Sequence, residues 1–208
     1  MTGKFIALEG GEGAGKSTNA QFIKQQLEAR GLEVLLTREP GGTPLGEKVR
    51  AILLDATLPA MTPTTEALLM FAARAEHYAQ VIAPALAVGQ WVISDRFVDA
   101  SFAYQGAARG LGSHKIAELT DWTLPNVQAD LTLVFDLPVE VGMMRVQARG
   151  GVIDRFEQEP PAFFEQVRQA YLERAAKAPS HYCVLDASQD LSAVQRVIAE
   201  QLDRLCLG

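Results

Sequence analysis

Short apolar runs alternate with longer stretches of helical periodicity along the whole chain. Lys4 to Glu9 (KFIALE) predicts a first strand, and Lys16 to Arg30 a helix that Gly31 stops. Glu33 to Thr37 (EVLLT) predicts a second strand, and Pro44 to Leu54 a second helix. Thr62 and Pro63 supply an N-cap and a first-turn proline for a long helix reaching Val88, with a bend or early stop at Pro84. Trp91 to Asp95 (WVISD), Asp130 to Leu137 and His181 to Asp186 complete the strands. Helices are predicted over Ser113 to Leu124, Pro138 to about Ala148, Pro161 to Lys177 and Leu191 to Leu205.

Strands that alternate with helices imply an α/β fold, here a five-stranded parallel sheet flanked by helices. Right-handed crossovers bring the strand C-termini to one edge, where ligands bind in open sheets of this kind. No internal repeat or low-complexity linker interrupts the pattern, so residues 1–208 read as a single domain.

Composition narrows the function. With 208 residues, 48% of them hydrophobic, the chain can bury a substantial core. Its net charge of -6 argues against wrapping a nucleic acid, which needs a basic surface. Cys183 and Cys206 are too few for a disulfide scaffold and are expected to be small buried hydrophobes in a reducing compartment. No run approaches the ~20 apolar residues of a membrane span. The N-terminal apolar run, Phe5 to Leu8, is too short for a signal-peptide core. A soluble, cytoplasmic protein with no membrane partner is expected.

The sharpest local pattern is Gly10-Gly11-Glu12-Gly13-Ala14-Gly15-Lys16-Ser17, followed by Thr18. It fits GxxxxGK followed by Ser or Thr, with a strand before it and a helix after it. Such a loop turns backbone N–H groups inward around a polyphosphate, and the helix dipole adds to them. Lys16 is placed to reach the β- and γ-phosphates of ATP, and the Ser17 hydroxyl to bind Mg²⁺. A carboxylate facing the triphosphate would be repelled, so Glu12 is expected to point away from it, toward a hydroxyl, a cation or solvent.

This loop serves kinases, GTPase switches and motors alike. The chain lacks the N/T-K-x-D guanine motif and is short for a motor. Two apolar strands end in Asp, at Asp95 and Asp136. Asp95 is the better metal-side acid because Arg96 follows it directly, whereas Asp136 runs into Leu137-Pro138 and looks structural. Arg38 follows the second strand, and Arg145, Arg149 and Arg155 flank Gly150-Gly151. A Gly hinge among always-charged planar donors suits a lid, over about residues 148–160, that closes on transferring phosphate.

Four motifs in order resemble the thymidylate kinase family: the loop with Glu12, Thr37-Arg38-Glu39-Pro40-Gly41-Gly42-Thr43, Asp95-Arg96-Phe97 with Ser101 to Gly106, and Ala148 to Arg155. They span residue 5 to about 160. The resemblance implies a nucleoside monophosphate kinase-like fold, and transfer of the γ-phosphoryl of ATP to dTMP with Mg²⁺ by a homodimer. It implies that Arg38 and Arg96 hold the dTMP phosphate, that Glu12 faces the sugar 3′-hydroxyl, and that Tyr104 crowds the 2′ position. Phe71 would stack on thymine, Arg74 would donate to its carbonyl, and Ser101 and Gln105 would lie at the base. The family often has its stacking Phe four residues before the arginine; here Met70 stands there and Phe71 one place later, and either could cover the base. The loop position after Glu12 is Gly13 rather than a basic residue, so Arg149, with Arg145 or Arg155, would serve as the catalytic arginine. Glu39-Pro40 resembles a family turn with a cis bond.

Overall fold

The computed structural model describes residues 3–150 and 154–207; Gly151, half of the expected hinge, lies outside the described residues with Val152 and Ile153. Five strands, β1 (Phe5–Gly10), β2 (Val34–Arg38), β3 (Trp91–Asp95), β4 (Leu131–Asp136) and β5 (Tyr182–Asp186), form a sheet in the order β2-β3-β1-β4-β5. Every neighbouring pair is parallel.

Strand β1 is central and buried along its whole length, so its alternating side chains feed two cores. Ile6 and Leu8 pack with Ile23 and Leu27 of helix α1 (Lys16–Glu28) and with Ile198 and Leu202 of the last helix, α9 (Leu191–Leu207). Phe5 and Ala7 face the opposite way, toward Ile82, Ala85, Phe97 and Val98. Helix α1 closes just before Gly31, where Leu32 N reaches back to Leu27 O at 3.2 Å.

Helix α2 (Pro44–Leu54) starts on Thr43, whose hydroxyl accepts from Gly46 N, and α3 (Pro63–His77) starts on Thr62 in the same way. The bend expected near Pro84 is a π-helical turn over Tyr78–Ile82, followed by α4 (Ala83–Ala87). Proline has no N–H to give the carbonyl four residues back, and its ring crowds that carbonyl. The helix widens just ahead of it, with Ala83 N bonding to Tyr78 O.

Sequence patterning leaves Val98 to Ala108 without an element. The structure makes it helical: α5 (Val98–Ser101) runs into a π-helical stretch, Phe102–Ala108. No residue beside α5 caps it. Its cap is Glu9 of β1, whose Oε1 accepts from Phe97 N at 2.7 Å and Ala100 N at 3.3 Å. Helices α6 (Ser113–Thr123), α7 (Val139–Arg149) and α8 (Pro161–Lys177) follow as expected.

One cysteine departs from expectation: Cys206 is exposed near the end of α9, with Arg30 Nη1 3.4 Å from its sulfur, while Cys183 is half-buried against the first core. Asp136 holds Arg168 of α8 at 2.6 and 3.1 Å, the structural role expected for it.

Leu133 of β4 is fully buried in the first core. Leu133→Ala should therefore cost about 2–5 kcal/mol, seen as a lower urea midpoint with an unchanged slope.

Candidate active site

The strand C-termini open onto a cleft of about 540 Å³. It is lined by the glycine-rich loop from Glu12 to Thr18, by Arg38, Arg74, Asp95, Arg96, Ser101, Tyr104 and Gln105, and by Arg145 and Arg149. A smaller cavity of about 270 Å³ lies on the other side of the loop, between α7 and α8. Its wall is mainly Val134, Leu137, Val139, Met143, Val146 and Phe164, so convergent polar groups mark the cleft as the site.

At the loop end, Lys16 Nζ donates to Gly10 O at 2.9 Å and Gly11 O at 2.8 Å. Burial, and then the nearby Arg96 guanidinium, lower its pKa from the ordinary lysine value. Ser17 Oγ donates to Asp95 Oδ2 at 3.1 Å, so the two residues expected at a metal stand together. Gly13 adopts φ 71°, and a Cβ on it would lie 2.4 Å from Gly142 O of α7. A Cβ on Gly142 would in turn lie 2.5 Å from Glu12 O. The phosphate loop and α7 therefore touch backbone to backbone, with no room for a side chain on either.

The middle of the cleft is built on Arg96. Its backbone is left-handed (φ 71°), a conformation a non-glycine residue keeps only when its surroundings hold it there. Arg96 N donates to Leu8 O at 2.9 Å, and Nη1 donates to Gly10 O and to the Tyr171 hydroxyl, each at 3.2 Å. Nη2 pairs with Glu12, and the guanidinium lies 4.9 Å from the centroid of the Tyr104 ring. The Tyr104 hydroxyl also donates to Glu12 Oε1 at 3.2 Å. Burial pushes the Glu12 carboxyl up, but the Arg96 and Lys16 charges outweigh it and hold the pKa below the usual range. Glu12 thus turns from the loop interior toward a cation, as the charge argument requires.

At the far end Arg74 is buried. Its Nε donates to Glu39 Oε2 at 2.6 Å, Nη1 to Ser101 Oγ at 2.8 Å and Nη2 to Phe97 O at 2.9 Å. A guanidinium has five N–H groups, so two remain for a ligand. Behind it His77 bridges Glu39 Oε1 at 3.0 Å and Thr37 Oγ1 at 2.7 Å. The Glu39–Pro40 peptide is cis, as the resemblance implied. Gln105 donates to buried Glu66 at 2.8 Å. Arg38 pairs with Glu47 at 3.0 Å, and Arg149 with Glu157 at 2.6 Å.

Four expected site residues are not on the cleft wall: Gly10 and Gly11, which line the smaller cavity, and Phe71 and Arg155. Phe71 is buried with Ala67 and Ile116, and the Arg74 guanidinium lies 4.9 Å from its ring centroid. Met70, on the neighbouring strip of α3, lines the cleft instead. Arg155 turns away from the phosphate side. Its Nη1 meets Glu66 Oε2 at 2.8 Å, and its Nε donates to Leu53 O at 2.8 Å in the last turn of α2. A buried carboxylate and the negative end of a helix dipole both attract a cation there.

Sequence reasoning missed Glu157, Gly142, Glu9 and Tyr171. Glu157 lies two residues beyond Arg155, within the expected lid range, and could have been read as the acceptor of Arg149. A glycine in the middle of a helical pattern marked Gly142. Glu9 read as a strand end, and nothing local marked Tyr171.

The model of the family described as thymidylate kinase matches residues 8–198. The chain belongs to the thymidylate kinase family. It is 57% identical over 205 residues to the thymidylate kinase of Ectopseudomonas mendocina (strain ymp), covering 99% of this chain and 97% of that one. It is 60% identical over 198 residues to the thymidylate kinase of Pseudomonas putida (strain GB-1), covering 95% and 94%.

Helix propensity alone would have Gly142→Ala stabilise α7 by roughly 1 kcal/mol. The contact with Glu12 O predicts the reverse: a several-fold higher KM for ATP and a lower melting temperature. Steady-state kinetics with ATP varied, beside a thermal melt, checks both.

Proposed function

We propose that this protein transfers the γ-phosphoryl group of ATP to dTMP, giving dTDP and ADP. One observation carries the reading within the family: the cleft has two cationic groups, Lys16 with its glycine loop at one end and Arg96 with Arg38 toward the middle, with the Glu12 carboxylate beside Arg96. Two phosphate groups brought to these cations face one another, which is what direct transfer requires.

The loop from Gly10 to Thr18 binds the ATP phosphates, with Lys16 exchanging its contacts to Gly10 O and Gly11 O for phosphate oxygens. Arg96 and Arg38 grip the acceptor phosphate, releasing Glu12 and Glu47. Glu12 then accepts from the sugar hydroxyl. Arg74 presents its two free N–H groups to the base, with Ser101 and Gln105 beside it. Met70 covers the base from α3, in place of Phe71. Tyr104 occupies the space that a 2′-hydroxyl would need.

Arg149 leaves Glu157 to stabilise the migrating phosphoryl, while Arg155 anchors the lid over about residues 148–160 to Glu66. Mg²⁺, when bound, neutralises charge across the β- and γ-phosphates. The donor set fits it: Ser17 and Asp95 offer one hydroxyl and one carboxylate, and this ion takes most of its oxygens from phosphate and water. No protein base is required, and positioning with charge neutralisation carries the rate.

The working unit is one domain, residues 1–208. We assign it to the cytoplasm as a homodimer. Exposed Leu68 on α3 and Trp122 on α6 supply apolar surface for a second copy.

The test is coupled ADP release with ATP and Mg²⁺, comparing dTMP, dUMP, the ribose form of TMP, dCMP and AMP. Turnover should strongly favour dTMP. One methyl group is worth about 1–3 kcal/mol, so dUMP should fall behind by roughly 10- to 200-fold in kcat/KM. Turnover with another monophosphate alone would overturn the thymine assignment, and no turnover with any would overturn the kinase reading.

A further inference from the structure

Glu9 is a carboxylic acid with no exposure to solvent, and none of the steps above uses it. Its Oε1 accepts from Phe97 N and Ala100 N, the first N–H groups after Arg96 that point back at β1. Its Oε2 accepts from the Tyr171 hydroxyl at 2.8 Å. The same hydroxyl oxygen accepts from Arg96 Nη1 at 3.2 Å. A chain of hydrogen bonds therefore runs from Arg96 through Tyr171 of α8 to Glu9 of β1. The two bonds at Oε1 hold the turn that follows Arg96 and its left-handed backbone.

We propose that Glu9 and Tyr171 are positioning residues for Arg96, and that the proton on Glu9 sets how firmly the acceptor phosphate is held. The inference rests on the reading that Arg96 grips that phosphate. With Glu9 ionised, Tyr171 points its hydrogen at the carboxylate and leaves its oxygen lone pairs to Arg96. A proton on Glu9 has one place to go, because Oε1 already faces two N–H donors. It sits on Oε2 and points at the Tyr171 oxygen. Tyr171 must then turn its own hydrogen elsewhere, and Arg96 loses part of an acceptor and a nearby negative charge.

Burial, and then the Asp99 carboxylate, push the Glu9 carboxyl up to about 7, against the pull of Arg96 and of its hydrogen bonds. The other ionisable groups around it are Lys16 of α1, Tyr171 of α8, and Glu12 and Tyr104 beyond Arg96. The grip on dTMP should loosen as pH falls through about 7, where Glu9 gains its proton. Stability linked to Glu9 runs the other way. Its folded-state pKa is raised from 4.5, so its stabilising contribution is present in full below that value and is lost as pH rises through about 7. A loss of affinity on the acid side therefore cannot be the onset of Glu9-linked unfolding.

The experiment measures KM for dTMP and for ATP from about pH 5.5 to about pH 9 in the full-length wild type, Glu9→Gln and Tyr171→Phe, with a thermal melt at each pH. In the wild type, KM for dTMP should rise on the order of tenfold as pH falls through 7, with KM for ATP nearly constant. The substrate phosphate titrates near pH 6 and adds its own limb, which every variant keeps. Glu9→Gln, a permanent mimic of the neutral acid, should show the raised KM for dTMP already at high pH and keep the substrate limb alone. Tyr171→Phe removes a donor to the carboxylate and should move the Glu9 limb to higher pH. If Glu9→Gln does not fold, the shift in Tyr171→Phe decides.

Identical dTMP profiles in wild type and variants would overturn the inference, as would an equal rise in KM for ATP. If the wild type does not turn over dTMP at any pH, the proposed function falls. If it does and the variants follow it, only the role of Glu9 and Tyr171 falls.

Discussion

A half-buried guanidinium must be surrounded by acceptors, and at Arg96 that requirement organises the whole catalytic edge. Four groups answer it: Gly10 O at the end of β1, the Glu12 carboxylate, the Tyr104 ring of the π-helical stretch and the Tyr171 hydroxyl of α8. Its left-handed backbone is tolerable because both neighbours in the sheet and the Glu9 cap hold the turn from outside.

The same principle is repeated around the cleft. Lys16 rests on two carbonyls, Arg38 on Glu47 and Arg149 on Glu157. Each cation already has an oxygen partner. A ligand oxygen that met one of them would exchange one acceptor for another rather than meet an unsolvated charge, which keeps reorganisation small. Arg74 is the exception. Three fixed partners hold it, and its two remaining N–H groups need not move to be used.

The parts legible in the sequence are those whose causes are local. The glycine loop, the strand ends at Asp95 and Asp136, and the threonine caps of α2 and α3 depend on residues within a few positions. What was not legible depends on distant partners. Helix α5 is capped from 88 residues away, so no window around Val98 contains the signal. Tyr171 meets Glu9 across 162 residues. Met70 and Phe71 differ by one position, and one position turns a helical side chain by about 100°. The packing of α3 against α6, which no periodicity shows, takes Phe71 into the core and leaves Met70 at the cleft. The resemblance offers Arg155 to the phosphates, but fully buried Glu66 on α3 holds it.

The contact of Gly13 with Gly142 ties two things that are usually adjustable independently. With no side chain between them to flex, the loop and α7 behave as two teeth of one gear. Any shift of α7 is met first at the backbone of Glu12 and Gly13. A displacement of the loop therefore reaches the first turn of α7 through backbone stiffness, without a single side chain to relay the message.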